Sequence, residues 1–292
     1  GKTSVDVDVS AVTEVTGVFT AINTLYTNTA NFIGLGNENI IENSATISAA
    51  NANTLAALTT GVVTATVTAG TASALNTALS NASATDALTL SITDTASVLS
   101  SALTTLDGKT SVALDASGVL DVTGSYAEVS ALYAAGEAGT ITGLGNEAVE
   151  VTGGGVTVTE ANTIASKTTG AVTAAVSNTA LADYAALTET DNAYTITLND
   201  ASVDASALRA LDAKTTVAFT ATSMTSLSGS YADVLAVLNS AGVTTSSTAD
   251  AIALTITGSI SVAEANTLDG LSLIHLCSCR RPALSTSRCQ PA

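Results

Sequence analysis

The sequence predicts an α/β fold, a repeat solenoid of short parallel strands alternating with short helices, and three observations carry that prediction. The first is a long period. GKTSV opens the chain at Gly1 and returns at Gly108, and AKTTV follows at Ala213, which are steps of 107 and 105 residues. Other landmarks keep the same pace: a glycine two residues before an aromatic (Gly17/Phe19, Gly124/Tyr126, Gly229/Tyr231), the string GLGNE at Gly34 and Gly143, and Ala-Asn-Thr around Asn53, Asn162 and Asn266. Self-similarity at a fixed step is the signature of stacked repeats. The second is a hydrophobic period that switches repeatedly between 2 and about 3.6 residues. The third is composition: 46% hydrophobic but only 3% aromatic, with no Trp, which suits thin layers of Val, Ile, Leu and Ala. The units are residues 1–107, 108–212 and a partial 213–270, with 271–292 set apart as a non-native or disordered tail.

Taken in order, SVDVDVS at Ser4 alternates Val5, Val7 and Val9 with Asp6 and Asp8, which is strand periodicity. VTGVFTAINTLY then places Val18, Ile22 and Leu25 at helical spacing. VVTATVT at Val62 and ALTLSITD at Ala87 predict strands, and TASALNTALS puts Leu75 and Leu79 on one helix face. Asp94 and Thr95 offer an N-cap to a helix whose stripe is Val98 or Leu99, Leu103 and Leu106. In the second unit VALDAS, AVEVT, AVTAAVS and YTITLND predict strands. Helices are predicted at SYAEVSALY (Tyr126, Val129, Tyr133), from Thr159 through Ile164, and at ASALRAL (Leu208, Leu211). Equivalent strand positions step by 25 and 22 residues from Val67 through Ile92 to Leu114, and by 22 and 21 from Val176 through Leu198 to Phe219. One strand and one helix every 21 to 25 residues is the pace of an α/β solenoid, in which each passage is too small to bury its own apolar face. Gly61, Gly170 and Gly242, following the helices, fit left-handed positions at helix C-termini.

Charge narrows the function. Residues 1–270 hold all 25 acidic residues against Lys2, Lys109, Lys167, Arg209 and Lys214, a net of −20. Such a surface repels phosphate backbones, which argues against nucleic acid as a partner. It suits a salty medium, where screening is strong. No stretch is long and apolar enough to predict a membrane span.

From Leu271 the composition changes. LSLIHLCSCRRPALSTSRCQPA holds all three cysteines (Cys277, Cys279, Cys289), both prolines and the one histidine, His275. Cys-x-Cys beside one His is a weak zinc pattern without a second half. LSLIH and CRR resemble the translated mosaic-end adapter of transposase-made sequencing libraries, which implies that the segment is not native and bears on neither fold nor redox state. Gly1 in place of Met, inside a repeat pattern, is read as a window on a longer protein.

Residues 1–270 contain no His or Cys, so Ser/His and Cys/His nucleophile arrangements are excluded there. No catalytic, cofactor-binding or metal residue is singled out, and the chain is expected not to be an enzyme. GLGNE completes neither phosphate-loop pattern, and Glu38 and Glu147 would repel phosphate, so a glycine-rich turn is expected. Calcium is the one ligand with a physical case: Asp6 and Asp8 share a strand face, and Asp94, Asp115, Asp200 and Asp204 sit at strand ends. Threonine-rich strands raise an ice-binding surface, but Ser, Ala, Asp and Tyr interrupt the rows.

The passage YTITLNDASVDASALRAL from Tyr194 resembles a leucine-rich repeat, with Asp94 and Asp200 in the place of that family's polar ladder residue and Val and Thr replacing most leucines. The composition resembles that of very large, acidic, cysteine-free Ala/Thr/Val-rich repeat proteins on bacterial surfaces, marine ones in particular. The resemblance implies a structural or adhesive segment of an extracellular or cell-surface protein. Its partners would be other repeats of the parent chain and surface glycans or other cells, reached by avidity. A carbohydrate-active enzyme or carbohydrate-binding module on a solenoid scaffold is the alternative, and a calcium-dependent surface module the second.

Overall fold

In the computed structural model the chain is α/β, built from short helices and short strands in several parallel sheets. The structure describes residues 6–28, 30–245 and 252–278, with side chains as far as Gly270. The helices are α1 (Phe19–Thr27), α2 (Ala49–Leu58), α3 (Ala72–Ala78), α4 (Ser100–Asp107), α5 (Tyr126–Ala138), α6 (Val158–Ala165), α7 (Ala205–Asp212), α8 (Tyr231–Leu238) and α9 (Val262–Ser278), with a 3-10 turn at Leu181–Ala186. The described residues contain no helix long and apolar enough to cross a membrane. Two compact units divide the chain: Gly1–Gly154 with Thr163–Val172, and Gly155–Asn162 with Thr173–Ala292.

In the first unit the strands Glu14–Gly17, Asn39–Glu42, Val63–Thr66 and Ala87–Thr89 pair in parallel in that order. Val98–Leu99 pairs with Asp121–Gly124, which pairs with Ala148–Val151. A second track pairs Val7–Asp8 with Phe32–Ile33 and Leu114–Asp115 with Ile141–Thr142. In the second unit Ser202–Asp204, Ser226–Gly229 and Ala253–Ile256 form one parallel sheet, and Phe219–Ala221 pairs with Val243–Thr245. Partners in these pairs are offset by 23 to 27 residues, and Thr173 and Ala193 by 20.

Alternation fills the core as the sequence predicts. Val63, Ala65 and Val67 are buried while Thr64, Thr66 and Thr68 are exposed, and Tyr194, Ile196 and Leu198 repeat the pattern against Thr195 and Thr197. Helices close each layer with two or three small or branched residues, such as Ala72 and Leu75 in α3, Leu103 and Leu106 in α4, and Leu208 and Leu211 in α7. Polar side chains mark the helix starts: Ser48, Thr71, Ser125, Asp204 and Ser230 each accept a hydrogen bond from a first-turn amide.

Three expectations need correction. Most passages carry two short strands between helices, not one: Leu114–Asp115 and Asp121–Gly124 both precede α5, and Phe219–Ala221 and Ser226–Gly229 both precede α8. The second strand of each pair is four residues or fewer, too short for alternation to register. Asp94 and Thr95 do not begin a helix: α4 starts at Ser100, after the strand Val98–Leu99, and Asp94 Oδ2 instead accepts the Ala72 amide at 2.7 Å, capping α3 of the previous passage. The helix predicted from Thr159 through Ile164 runs from Val158 to Ala165 as α6, capped by Thr157, whose hydroxyl accepts the Glu160 amide at 3.3 Å. Gly61, Gly170 and Gly242 are not left-handed. Gly61 and Gly170 are glycine because a Cβ would collide with the backbone carbonyls of Glu38 and Glu147, whereas the nearest atom at Gly242 is the end of the Asp212 side chain. Val5 and Ser4 lie outside the described residues, as do Cys279 and everything after it; the backbone of residues 271–278 belongs to α9.

The close approach at Gly170 predicts that Gly170→Ala destabilises the chain by about 1–3 kcal/mol through overpacking. Gly118→Ala, with nothing within 4 Å of the added methyl, is expected to be neutral or slightly stabilising. Urea unfolding of the two variants measures the contrast.

Candidate functional site

The charged residues least accessible to water, among those described, lie at the two GLGNE turns. Glu38 is 1% exposed and Glu147 is fully buried. Both turns are built the same way. Gly34 and Gly36, like Gly143 and Gly145, have positive φ between 81° and 130°, a backbone that bulkier residues resist. That curvature points successive amides inward at the glutamate that ends the motif. Glu147 Oε2 accepts from the amides of Gly145 at 2.7 Å and Asn146 at 3.0 Å, and Oε1 accepts from the Tyr133 hydroxyl of α5. Glu38 Oε2 accepts from Gly36 at 2.9 Å and Asn37 at 3.1 Å, and Oε1 from Tyr26 of α1. The carboxylate fills the nest that a phosphate loop would offer to a ligand, so the turn is closed by its own side chain. The expectation of a glycine-rich turn holds, and its glutamate is a buried anchor rather than surface charge.

A shallow hollow of about 380 Å³ adjoins the second turn, lined by Tyr133, Gly136, Glu137, Ile141, Leu144 and Lys167 among others. Lys167 Nζ pairs with Glu137 at its rim, where both side chains are substantially exposed. The first copy keeps the buried tyrosine and glutamate but has Leu58 where the second has Lys167, one step of 109 residues on. Glu147 faces into the fold with its acceptors already engaged, and Glu137 faces Lys167, so the two are not a carboxylate pair arranged for acid–base work. A second hollow of about 340 Å³ lies between the 3-10 turn and α7, lined by Leu181, Tyr184, Asp200, Ala207 and Leu211 among others.

Of the six aspartates proposed for calcium, five accept backbone amides, and the six are not brought together. Asp8 accepts from the Ser10 amide and Asp115 from the Ser117 amide, both at 2.9 Å, while Asp204 caps α7. The hydroxyl and amide of Ser10 hold Asp8 below the ordinary carboxylate range, and the amide and hydroxyl of Ser117 do the same for Asp115. Asp94 and Asp200 accept amides at the starts of α3 and the 3-10 turn, both at 2.7 Å, and Asp6 is exposed. Among the described residues no three acidic, His or Cys side chains form a group able to hold a metal. The side chains of His275 and Cys277, and all of Cys279, lie outside the described residues.

A repeated polar step, missed in the sequence, ties one passage to the next. At Thr59, Thr110, Thr168 and Thr215 the hydroxyl donates to a carbonyl 21 or 22 residues earlier, in a strand (Leu88, Tyr194) or just before one (Glu38, Glu147), at 2.5 to 3.0 Å. It also accepts the amide two residues on, from Gly61, Val112, Gly170 and Val217. The next residue, Thr60, Ser111, Thr169 or Thr216, gives both its amide and its hydroxyl to one carbonyl 24 or 25 residues back. Helix starts are bridged similarly, since Phe19, Ala72, Val158 and Leu181 donate their amides to Glu42, Asp94, Asn178 and Asp200 of the following passage. The available signal was the hydroxyl pair itself, in LTTGV, GKTSV, SKTTG and AKTTV.

No protein-family model matches the chain, and neither the curated proteins nor the solved structures contain a match.

Two predictions follow from the buried groups. Tyr133→Phe removes the hydroxyl that faces buried Glu147 and is expected to cost about 1–3 kcal/mol in denaturant unfolding, with Tyr26→Phe showing a loss of the same order. Burial, then the charge of Asp183, pushes Tyr184 up to about 12, and burial, then the charge of Glu189, does the same for Tyr194. Tyr133 is raised further by burial and by Glu147. These phenols hold their protons more tightly folded than unfolded. Their contribution to stability is complete below the ordinary value of 10.0 and is lost as pH rises through about 12. An ultraviolet titration is expected to show Tyr184 and Tyr194 ionising near pH 12, coupled to unfolding.

Proposed function

We propose that residues 1–270 form a stretch of α/β solenoid with a super-repeat of about 105 residues, acting as a non-catalytic structural or adhesive segment of a large extracellular or cell-surface bacterial protein. The observation that carries this reading is the threonine step to a carbonyl one passage back, which recurs at four places. A fold whose polar side chains are spent on joining each passage to the last is organised for length and not around one cleft. The acidic, cation-poor surface suits a salty exterior, and repeated weak contacts with glycans or other cells would gain strength by avidity.

The hollow at Tyr133, Glu137 and Lys167 is what favours the carbohydrate-binding alternative, because its ion pair is present in one copy only. Glycan-array binding that is lost on Lys167→Ala would favour that alternative, whereas binding that scales with the number of repeats and ignores Lys167 supports the array.

Small-angle scattering tests the architecture. A compact chain of 292 residues has a radius of gyration of about 19 Å. At one strand spacing per passage residues 1–270 span on the order of 50 Å, which leaves the radius of gyration near that value, and insertion of a further 108–212 unit is expected to lengthen the longest dimension by on the order of 20 Å. A longest dimension that does not grow with the added unit would exclude the solenoid.

A further inference from the structure

The three copies of the repeat differ at one set of equivalent positions. In the second copy Leu114, Ala116, Val119, Val122 and Leu132 are all 1% exposed or less. In the third, Phe219, Ala221, Met224, Leu227 and Val237, each 105 residues on, are also buried. Their counterparts in the first copy, 107 residues back, are Val7, Val9, Val12, Val15 and Leu25. Val7 is 42% exposed and the other four are only partly covered. The residues are apolar in all three copies, so chemistry does not account for the difference.

What buries them in the second copy is the passage 86–107. Val98–Leu99 pairs with Val122 and Thr123, Ser91 bridges to Asp115, and α4 packs on α5. In the third copy the strand Ser202–Asp204 and the helix α7 play the same part against Ser226–Ser228 and α8. Among the described residues, Glu14–Gly17 and Val7–Asp8 of the first copy are edge strands. Thr13 and Gly17 direct their carbonyls to Asn39 and Asn43, and Val7 and Val9 direct their amides to Asn31 and Ile33. Alternation along the strands therefore turns the amides of Asp8, Glu14 and Thr16 to the open side. The local geometry is otherwise that of the covered copy: Ser10 donates to Asp8 as Ser117 donates to Asp115, both at 2.9 Å.

We infer that the edge formed by Val7–Asp8, Glu14–Gly17 and the adjoining face of α1 is a docking surface for one further strand-and-helix passage of the same kind as residues 86–107. Its occupant adds parallel strands beside Asp8 and Thr16 and covers Val7, Val15 and Leu25 with a helix like α4. The identity of the occupant rests on the array reading, and the open edge itself does not.

The test duplicates residues 63–107 directly ahead of Gly1 in the full chain. Asp107 is followed by GKTSV in both places, so the new junction repeats the native one. Amide hydrogen exchange is read at Asp8, Glu14 and Thr16. Docking is expected to slow these amides by more than about tenfold. A second chain, whose duplicate carries the equivalents of Leu88→Asp and Leu103→Asp, is expected to leave them fast. Unchanged exchange with the native duplicate, while Val122 and Thr123 stay protected, overturns the inference. Loss of protection at Val122 and Thr123 counts against it equally, since a stacking repeat stabilises the copy it joins. Scattering on the same sample separates the two ideas: added length without slowed amides removes the edge and leaves the array, and slowed amides without added length do the reverse.

Discussion

A hydroxyl that donates to a carbonyl one passage back and accepts an amide two residues ahead solves the main difficulty of a fold made from strands of two to five residues. Such strands satisfy few of their own backbone groups, and the connections between them would leave carbonyls buried without partners. Thr59, Thr110, Thr168 and Thr215 close that gap at the entry to a passage, and the following Thr or Ser closes the next one. Gly61 and Gly170 belong to the same device, because at these two entries a Cβ would strike the carbonyl that the threonine holds, whereas Val112 and Val217 stand two places after Thr110 and Thr215. Lys109 and Lys214, just before the hydroxyl pair, extend it to the carbonyls of Leu79 at 2.9 Å and Thr188 at 3.1 Å.

Charge contributes little by comparison. The described ion pairs, Lys167 with Glu137 and Arg209 with Asp233, are at the surface, where such pairs are worth about 0–1 kcal/mol. The buried carboxylates are a different matter. Glu38, Glu42 and Glu147 are each ringed by amides or hydroxyls and act as fixed acceptors that curve the chain around them. Their role is architectural: of the five buried tyrosines and phenylalanines, Tyr26, Tyr133, Tyr184, Tyr194 and Phe219, the first two donate to these glutamates.

The α/β class, the parallel sheets and most of the core were legible because alternation at Val63 to Val67 and Tyr194 to Leu198, and the leucine spacing of α4 and α7, are local signals. The repeat markers were legible as markers while their work was not. GKTSV stood out as a phrase that returns, yet nothing in its spacing says that Thr110 reaches Leu88, because the partner lies a whole passage away. The same distance hid the caps made by Glu42, Asp94 and Asp200, which serve helices already passed. Gly61 and Gly170 were read through local backbone rules, when a neighbouring passage decides them. Glu147 looked like surface charge, although Tyr133 standing 14 residues before it, as Tyr26 stands 12 before Glu38, was a clue that the two turns share an internal partner.

The most direct measurement compares threonine to valine replacements, equal in shape, by urea unfolding. At Thr110 and Thr215 valine is expected to cost about 1–3 kcal/mol, since it leaves the carbonyls of Leu88 and Tyr194 without their donors. At Thr66 and Thr195, exposed on strands, valine is expected to be neutral or slightly favourable. If the four replacements cost the same, the hydroxyl step does not hold the passages together, and the packing of Val, Leu and Ala between layers carries the fold by itself.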